Sequence, residues 1–581
     1  MRSLRSHDLL SSPCIAPTID TPDNTNTMDH TMYRLALFCI LTLNLVHAAQ
    51  AGTSAVAMPD QYGAEVAREI LQEGGNAVDA AIAATFTLAV TYPEAGNIGG
   101  GGFMLSRMNG ENTFLDFRER APGSAERDMY LDEGGNFVQS LSLIGGKASG
   151  VPGTVRGMHA AHERYGSLSW KQLLQPAIDL ARDGFTVHED LALAARNMLE
   201  FEAGKTNFAR FFGDLEAGAT FRQPELARTL SLIAEDPESF YSGAIARQIV
   251  AQMKTSDGLI SAQDLADYKA IWREPLVGQW REFTIVSAPP PSSGGFALIQ
   301  LLTMRDFADE HFKDIWQNSP AYIHLLAEIE KRVYADRAEY LGDPDYIDVP
   351  ISALLDSAYL KTRAADIQPT GISKAPSVTA GLEPPETTHF SIVDAKGNAV
   401  SLTYTLNWDF GSGVVVEGAG FLMNNEMDDF SAKPGVPNKF GVIGRDNNAI
   451  APNKRMLSSM TPTLLLQGDS TNLVIGTPGG STIFTSVFQV ILNLYDYQMP
   501  LQAAVDATRY HHQLPAQFLI RHDQRDISVE TQQALEAMGY RVEPNSWGNL
   551  GDIQAIQRTS DGLQAASDNR GRGVAQVFRV P

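Results

Sequence analysis

Two cysteines, Cys14 and Cys39, are all that the 581 residues contain, and both fall within the first 51. Once a leader of that length is removed the chain has no thiol, which excludes a cysteine nucleophile, a thiolate metal site and disulfide staples from the rest. Positive charge is scarce too: 45 Lys and Arg stand against 68 Asp and Glu, for a net charge of −23. So acidic a protein cannot displace counterions from a phosphate backbone, so nucleic acid is excluded as a partner and any anionic ligand must be met by local cations. Long apolar runs are missing apart from residues 35–46, and that run is short for a membrane span. Also absent are the G-x-S-x-G elbow of serine hydrolases, the H-E-x-x-H of metalloproteases, G-x-G-x-x-G, and a phosphate loop ending in G-K-[ST].

What is present describes a globular chain, 44% hydrophobic and 19% charged, long enough for several domains or for one large core with insertions. Met32-Tyr33-Arg34, the apolar run 35–46 and Ala49-Gln50-Ala51 have the charge, length and small-x-small end of an export signal. Residues 1–51 are therefore expected to be an N-terminal extension and signal peptide, with the start open among Met1, Met28 and Met32, and the protein to be periplasmic or secreted. Helices are expected over 63–71 and 77–90, the second apolar nearly all round. The run Gly99-Gly100-Gly101-Gly102 implies close backbone packing or unusual dihedrals, ahead of neighbouring strands at 103–107 and 113–118. Residues 154–280 read mostly as amphipathic packing helices, with Ser261 and Asp264 as a capping box. Pro289-Pro290-Pro291-Ser292-Ser293-Gly294-Gly295 interrupts before another helix, 321–341 is helical again, and 372–386 reads as an exposed Pro/Gly-rich connector.

At Thr387 the texture changes. Residues 389–393 and 399–406 alternate about the turn Asp394-Ala395-Lys396-Gly397-Asn398, and a hairpin centred on Lys396 sets Thr387 opposite Thr405. Thr-Thr after Pro384-Pro385-Glu386 is by itself an ordinary strand opening. As a new N-terminus, however, Thr387 would carry a hydroxyl nucleophile and an α-amine of pKa roughly 8 that serves as its base. Downstream lie Asn407 and the set Asn424-Asn425-Glu426-Met427-Asp428-Asp429, whose carboxylates suit an ammonium group, a calcium loop or a solvated face. Ser458-Ser459 precede a strand at 463–466. Gly479-Gly480 follow a strand and precede a helix at 483–494, where free N–H groups suit an anion or oxyanion. His511-His512 are adjacent and match no metal-ligand spacing, so they read as structural.

Together Thr387-Thr388-His389, Thr403-Tyr404-Thr405-Leu406-Asn407, Asn424 to Phe430, Ser458-Ser459-Met460-Thr461-Pro462 and Gly476-Thr477-Pro478-Gly479-Gly480 resemble the γ-glutamyltransferase (γ-glutamyltranspeptidase) family. Gly74 to Ala80, the glycine run ending in Gly102-Phe103, Asp116-Phe117-Arg118-Glu119 and the 289–295 motif resemble it in the same order, so the likeness spans 52–581. The resemblance implies an α+β fold, the four-layer αββα sandwich of N-terminal-nucleophile hydrolases, in one core built from two autoprocessed subunits. Cleavage between Glu386 and Thr387 would leave a large subunit, 52–386, and a small catalytic subunit, 387–581. It implies that Thr387 attacks the γ-glutamyl amide of glutathione and related compounds, with Thr405 orienting it and Gly479 and Gly480 holding the oxyanion. Arg118, Ser458 and Ser459 would grip the substrate α-carboxylate, and Asn407, Glu426 and Asp429 its α-amine. No metal or cofactor is implied; the acyl-enzyme would be resolved by water or by an amino-acid or peptide acceptor. Where some bacterial relatives carry a lid tyrosine, this chain has Phe440, which leaves open how that loop closes. The rivals are a glutaryl- or cephalosporin-type acylase of the same superfamily and an exported binding protein without turnover.

Overall fold

The computed structural model describes residues 52–373, 387–439, 441–514, 518–523, 525, 527–545 and 548–580. Two antiparallel sheets lie at its centre. The first runs, edge to edge, Val574–Arg579, Thr53–Met58, Thr388–Val393, Ala399–Thr405, Gly101–Met108, Glu111–Asp116, Ile271–Arg273. The second runs Gly562–Ser567, Gln554–Thr559, Ser470–Gly476, Thr463–Gln467, Phe283–Ser287, Leu276–Trp280.

The sheets pack face to face, Phe103, Leu105 and Phe114 of the first meeting Val286, Leu464 and Val474 of the second in one apolar cluster. Opposite faces of a strand bury opposite residues, so Met104, Leu115, Phe390 and Ile392 turn outward to a second cluster shared with helices Gln61–Gln72, Ala77–Thr91 and Trp170–Asp183. Ile285, Leu465 and Leu473 likewise turn out toward helices Gly294–Phe307, Pro320–Tyr340 and Ile483–Tyr495. The result is the expected α/β/β/α stacking, with each layer's apolar face covered by the next.

Several local expectations are met. The helix Ala77–Thr91 is buried along its whole length behind an Asn76/Asp79 capping box, and Ser261 and Asp264 form the box read from the sequence. The four glycines are explained by proximity: a Cβ at Gly99 would lie 2.0 Å from the Leu422 carbonyl oxygen, and one at Gly100 2.1 Å from that of Thr405. The reading of 154–280 needs one correction. It is mostly helical, but Ile271–Arg273 and Leu276–Trp280 are strands that close one edge of each sheet. Strands so short show too few alternations to stand out beside strong helical periodicity.

The hairpin has the register inferred from its turn. Thr388 pairs with Tyr404 and Val393 with Ala399, so the next step of the ladder brings Thr387 to Thr405. Both strands are buried on both faces. Their polar face points between the sheets, where Ser391 Oγ donates to the Gln554 carbonyl and Ser401 Oγ to that of Ile475. His389 bonds through Nδ1 to Thr403 and through Nε2 to Ser391, and burial holds its pKa down at about 3, so the ring is neutral. Strand Thr388–Val393 is thus fixed from both sides.

Candidate active site

Thr387 enters the first sheet with only 7% of its surface exposed. One cleft beside it is lined by Arg118, Thr387, Thr405, Asn407, Glu426, Asp429, Ser458, Ser459 and Gly480. These are nine residues singled out in the sequence, drawn from both halves of the chain. Gly479 immediately precedes Gly480 in the same loop but is not in the cleft wall. Glu386 and Phe440 lie outside the described residues.

Each wall residue has a local cause. Thr405 ends its strand, and its Oγ1 accepts the Asn407 N–H at 2.8 Å. Asn407 takes a positive φ of 80°, which turns the chain out of the sheet, and its Nδ2 donates to the Asn425 carbonyl. Asn424 and Asn425 fasten the following turn: Asn424 Nδ2 donates to the carbonyls of Gly99 and Gly150, Asn425 Nδ2 to that of Leu143. The turn, Glu426–Asp429, presents Glu426 and Asp429 to the cleft. Asp428 instead accepts from Ser142 and from the Lys439 N–H, and burial raises its pKa to about 7.

Arg118 follows strand Glu111–Asp116 and is fully buried. Its guanidinium donates to both Glu426 and Asp429, with Glu119 3.6 Å away. Burial alone would lower the arginine's pKa, but these three carboxylates hold it above its ordinary value. For the carboxylates burial wins over the guanidinium: Glu426 and Asp429 are raised, and Glu119 is pushed up to about 7. Buried Glu119 and Glu426 and the partly exposed Asp429 gather around Arg118, with Arg337 as a second buried base acting on Asp429; the three acids outnumber the two bases, and an incoming ammonium would complement them.

On the opposite wall Ser458 is held by the Pro-Pro-Pro-Ser-Ser motif: its N–H donates to the Pro291 carbonyl, and its own carbonyl accepts from the N–H and Oγ of Ser293. Ser459 Oγ accepts from Arg337 Nη2 at 3.1 Å, and Arg337 Nε donates to Ser293 Oγ. Arg337 also lines the cleft and was not singled out in the sequence. A signal existed: on helix Pro320–Tyr340 the stripe Ile323, Leu326, Glu330, Val333, Arg337 carries two charges along an apolar face, and all five are buried. Gly479 has φ 138° and Gly480 φ 55°, the bend that leads through a single 3₁₀ turn into helix Ile483–Tyr495.

His511 and His512 take no part in the cleft. His511 bonds Thr485 and Gln513, His512 Nδ1 bonds the Leu519 carbonyl, and burial lowers their pKa values to about 3 and about 4. Among the described residues no group of three or more His, Cys, Asp or Glu side chains could hold a metal ion, and no helix is long and apolar enough to cross a membrane.

The chain is similar to known proteins over most of its length. Over 553 residues, 94% of this chain and 99% of the relative, the sequence is 56% identical to the glutathione hydrolase proenzyme of Pseudomonas aeruginosa. The cephalosporin acylase of Bacillus halodurans has the same fold, with a TM-score of 0.80 at 28% identity over 90% of this chain and 96% of that one. A γ-glutamyltranspeptidase of Pseudomonas nitroreducens, complexed with L-DON, aligns with a TM-score of 0.54 at 53% identity, covering 54% of this chain and 95% of that one. The family model for γ-glutamyltranspeptidase matches residues 63–578, and the chain belongs to that family.

Proposed function

We propose that this chain is an exported, self-processing γ-glutamyltransferase and glutathione hydrolase with Thr387 as its nucleophile. The observation that carries the reading is convergence: nine residues from distant segments line one cleft, with a buried threonine and, in the wall, the Arg118 guanidinium paired with Glu426 and Asp429. A γ-glutamyl group has the matching polarity, an α-ammonium and α-carboxylate at one end and the reacting carbonyl at the other.

In the precursor the Thr387 hydroxyl attacks the Glu386 carbonyl. The C–O bond forms, the peptide C–N bond breaks, and the nitrogen takes up the proton that the hydroxyl loses. Water then opens the ester, leaving the Glu386 carboxylate, a free hydroxyl and the α-amine. The products are the large subunit, 52–386, and the small subunit, 387–581. In the mature enzyme that amine takes the hydroxyl proton as Oγ1 attacks the γ-carbonyl, Thr405 keeps the hydroxyl oriented, and the γ-amide C–N bond then breaks as the proton passes to the departing amine. The N–H groups of Gly479 and Gly480 face the developing oxyanion, a contribution of about 3–4 kcal/mol per donor in comparable sites. Ser458, Ser459 and Arg118 hold the α-carboxylate; Asn407, Glu426 and Asp429 hold the α-ammonium. The acyl-enzyme passes to water or to an amine acceptor.

The resemblance in fold to a cephalosporin acylase raises a glutaryl amide as the second reading. A glutaryl side chain has no ammonium, and the surplus of buried carboxylates around Arg118 then has no use. Comparing γ-glutamyl and glutaryl anilides separates the two, and preference for glutaryl overturns the first. The central test is Thr387→Ala. It is expected to give one unprocessed band on a denaturing gel and activity lower by about four orders of magnitude or more, whereas the native chain gives two, the smaller beginning at Thr387. Two bands from the variant would refute the cleavage site.

A further inference from the structure

Two adjacent glycines make the 479–480 loop easy to distort. Gly479 has φ 138° and Gly480 φ 55°, values that glycine adopts and leaves at little cost. Among the described residues neither N–H group donates a hydrogen bond that would hold the loop from the cleft side. Upstream, Thr477 Oγ1 accepts the Asp552 N–H at 2.7 Å. Downstream the hold comes from behind the cleft and centres on buried Ser481. Tyr334 Oη donates to the Ser481 carbonyl at 2.5 Å, and Ser481 Oγ donates to Gln513 Oε1. That amide oxygen also bonds His511 Nε2 at 2.9 Å, and His511 Nδ1 bonds Thr485 Oγ1 at 2.9 Å. An amide oxygen only accepts, so the neutral ring carries its proton on Nε2 and takes the Thr485 hydroxyl proton at Nδ1.

One helix supplies the far end of these bonds. On Pro320–Tyr340 the side chains of Glu330, Tyr334 and Arg337 follow at i, i+4 and i+7, a single helix face. Glu330 Oε2 accepts the His512 N–H at 2.8 Å, next to Gln513; Tyr334 holds Ser481; Arg337 holds Ser293 and Ser459. The Tyr334 ring is itself wedged between Phe484, 4.9 Å away, and His511, 5.7 Å away and edge-on.

We propose that Tyr334 and Gln513 are positioning residues for the oxyanion: by holding Ser481 from behind they fix the direction of the Gly479 and Gly480 N–H groups. The inference rests on those two groups being the oxyanion donors. Neither Tyr334 nor Gln513 lines the cleft, so neither binds the donor's head group. The oxyanion forms when the acyl-enzyme is made and again when it is resolved, so a loosened loop slows either step and spares ground-state binding. An N–H turned out of line loses part of the hundredfold or more that an oxyanion donor contributes, about tenfold.

The test measures kcat and KM of the processed enzyme with a γ-glutamyl anilide, per mole of small subunit, and the inhibition constant of glutamate, which binds without forming an oxyanion. Tyr334→Phe removes only the hydroxyl and is expected to lower kcat about tenfold, with KM and the glutamate constant within about twofold. If that variant fails to fold or to process, Ser481→Ala, which removes the bond to Gln513, is expected to lower kcat about fivefold with the same split. Tyr322, on the same helix, has a buried hydroxyl without a hydrogen-bond partner among the described residues, so Tyr322→Phe makes the same change away from the loop and should leave kcat unchanged. An unchanged kcat in both loop variants, a KM that rises in step with the fall in kcat, or an equal fall in Tyr322→Phe overturns the proposal. Gly479→Ala tests the reading beneath it: a Cβ there would lie 2.6 Å from Thr482 Oγ1, at a φ that L side chains rarely adopt, so the peptide must turn and kcat should fall about a hundredfold. Full activity in that variant overturns the oxyanion assignment instead.

Discussion

At the scale of single residues the site trades stability for charge, and Glu119 shows it. Both of its carboxylate oxygens are buried without a hydrogen-bond partner, although the Arg118 guanidinium is 3.6 Å away. Burial lifts its pKa from 4.5 to about 7 in the folded protein. A raised carboxylate binds its proton more tightly folded than unfolded, so its stabilisation is complete below about 4.5 and is lost as pH rises to about 7. Glu119→Gln mimics the protonated form at every pH. Its thermal midpoint is therefore expected to match the unmodified protein near pH 5 and to exceed it by a few degrees at pH 8, a gap that calorimetry at both pH values would reveal. The same exchange removes a charge beneath the proposed donor site rather than in its wall, so the donor KM should change less than the thermal midpoint gap implies, at pH 8 as at pH 6. Equal midpoint gaps at the two pH values would mean that the carboxylate ionises normally. Glu119 stood in a recognisable motif beside Arg118, yet nothing local to Asp116-Phe117-Arg118-Glu119 tells which side chain faces the cleft and which is trapped beneath it. Arg337 was hidden for a related reason: its helix is dense in Glu, Lys, Arg and Asp and reads as solvated, although most of those charges are buried in pairs.

At the scale of elements the hairpin was legible because its information is local. The turn 394–398 has Gly397 at φ 83° and Asp394 capping it through the N–H groups of Lys396 and Asn398, and the register follows from the turn. The same holds for the strand, glycine bend and helix at 470–495. What periodicity could not convey is which strands lie side by side: Thr53–Met58 pairs with Val574–Arg579 across almost the whole chain, and the four layers were expected only through the family resemblance. The contact between the sheets at the site is one such long-range feature. A Cβ at Gly476 would lie 2.4 Å from His389 Cε1, in a ring already pinned by Thr403 and Ser391. The ring cannot turn aside, so Gly476→Ala must push the second sheet from strand Thr388–Val393. A cost of about 1–3 kcal/mol is expected, with slower processing as Thr387 loses its placement. Denaturant unfolding and a time course of subunit appearance would check both, and an unchanged rate would show that the sheets slide independently of the site.

At the scale of the whole molecule the proposed cut between 386 and 387 falls inside a fabric rather than between two bodies. In the first sheet Thr53–Met58, from the large subunit, is hydrogen-bonded on one side to Val574–Arg579 and on the other to Thr388–Val393, both from the small subunit. Ala399–Thr405 is likewise paired with Gly101–Met108, and in the second sheet Thr463–Gln467 with Phe283–Ser287. The apolar layer between the sheets mixes both segments throughout, as do the outer clusters. Separating the subunits would therefore open two sheets and all of these apolar layers, as extensive a disruption as unfolding itself. Processing should change the covalent connectivity and leave the structure intact. The two subunits are expected to run as one species in native size-exclusion chromatography, at the mass of a single chain or a multiple of it, to separate only in denaturant, and to share one cooperative thermal transition. Segment 387–581 expressed alone should be insoluble or unfolded, because three strand pairings of the first sheet, Val574–Arg579 with Thr53–Met58, Thr53–Met58 with Thr388–Val393 and Ala399–Thr405 with Gly101–Met108, lose one partner, while co-expression with 52–386 is the arrangement able to restore activity. A folded, monomeric small subunit on its own would show that the interlocked strands are dispensable and would place the core of the fold in the C-terminal third.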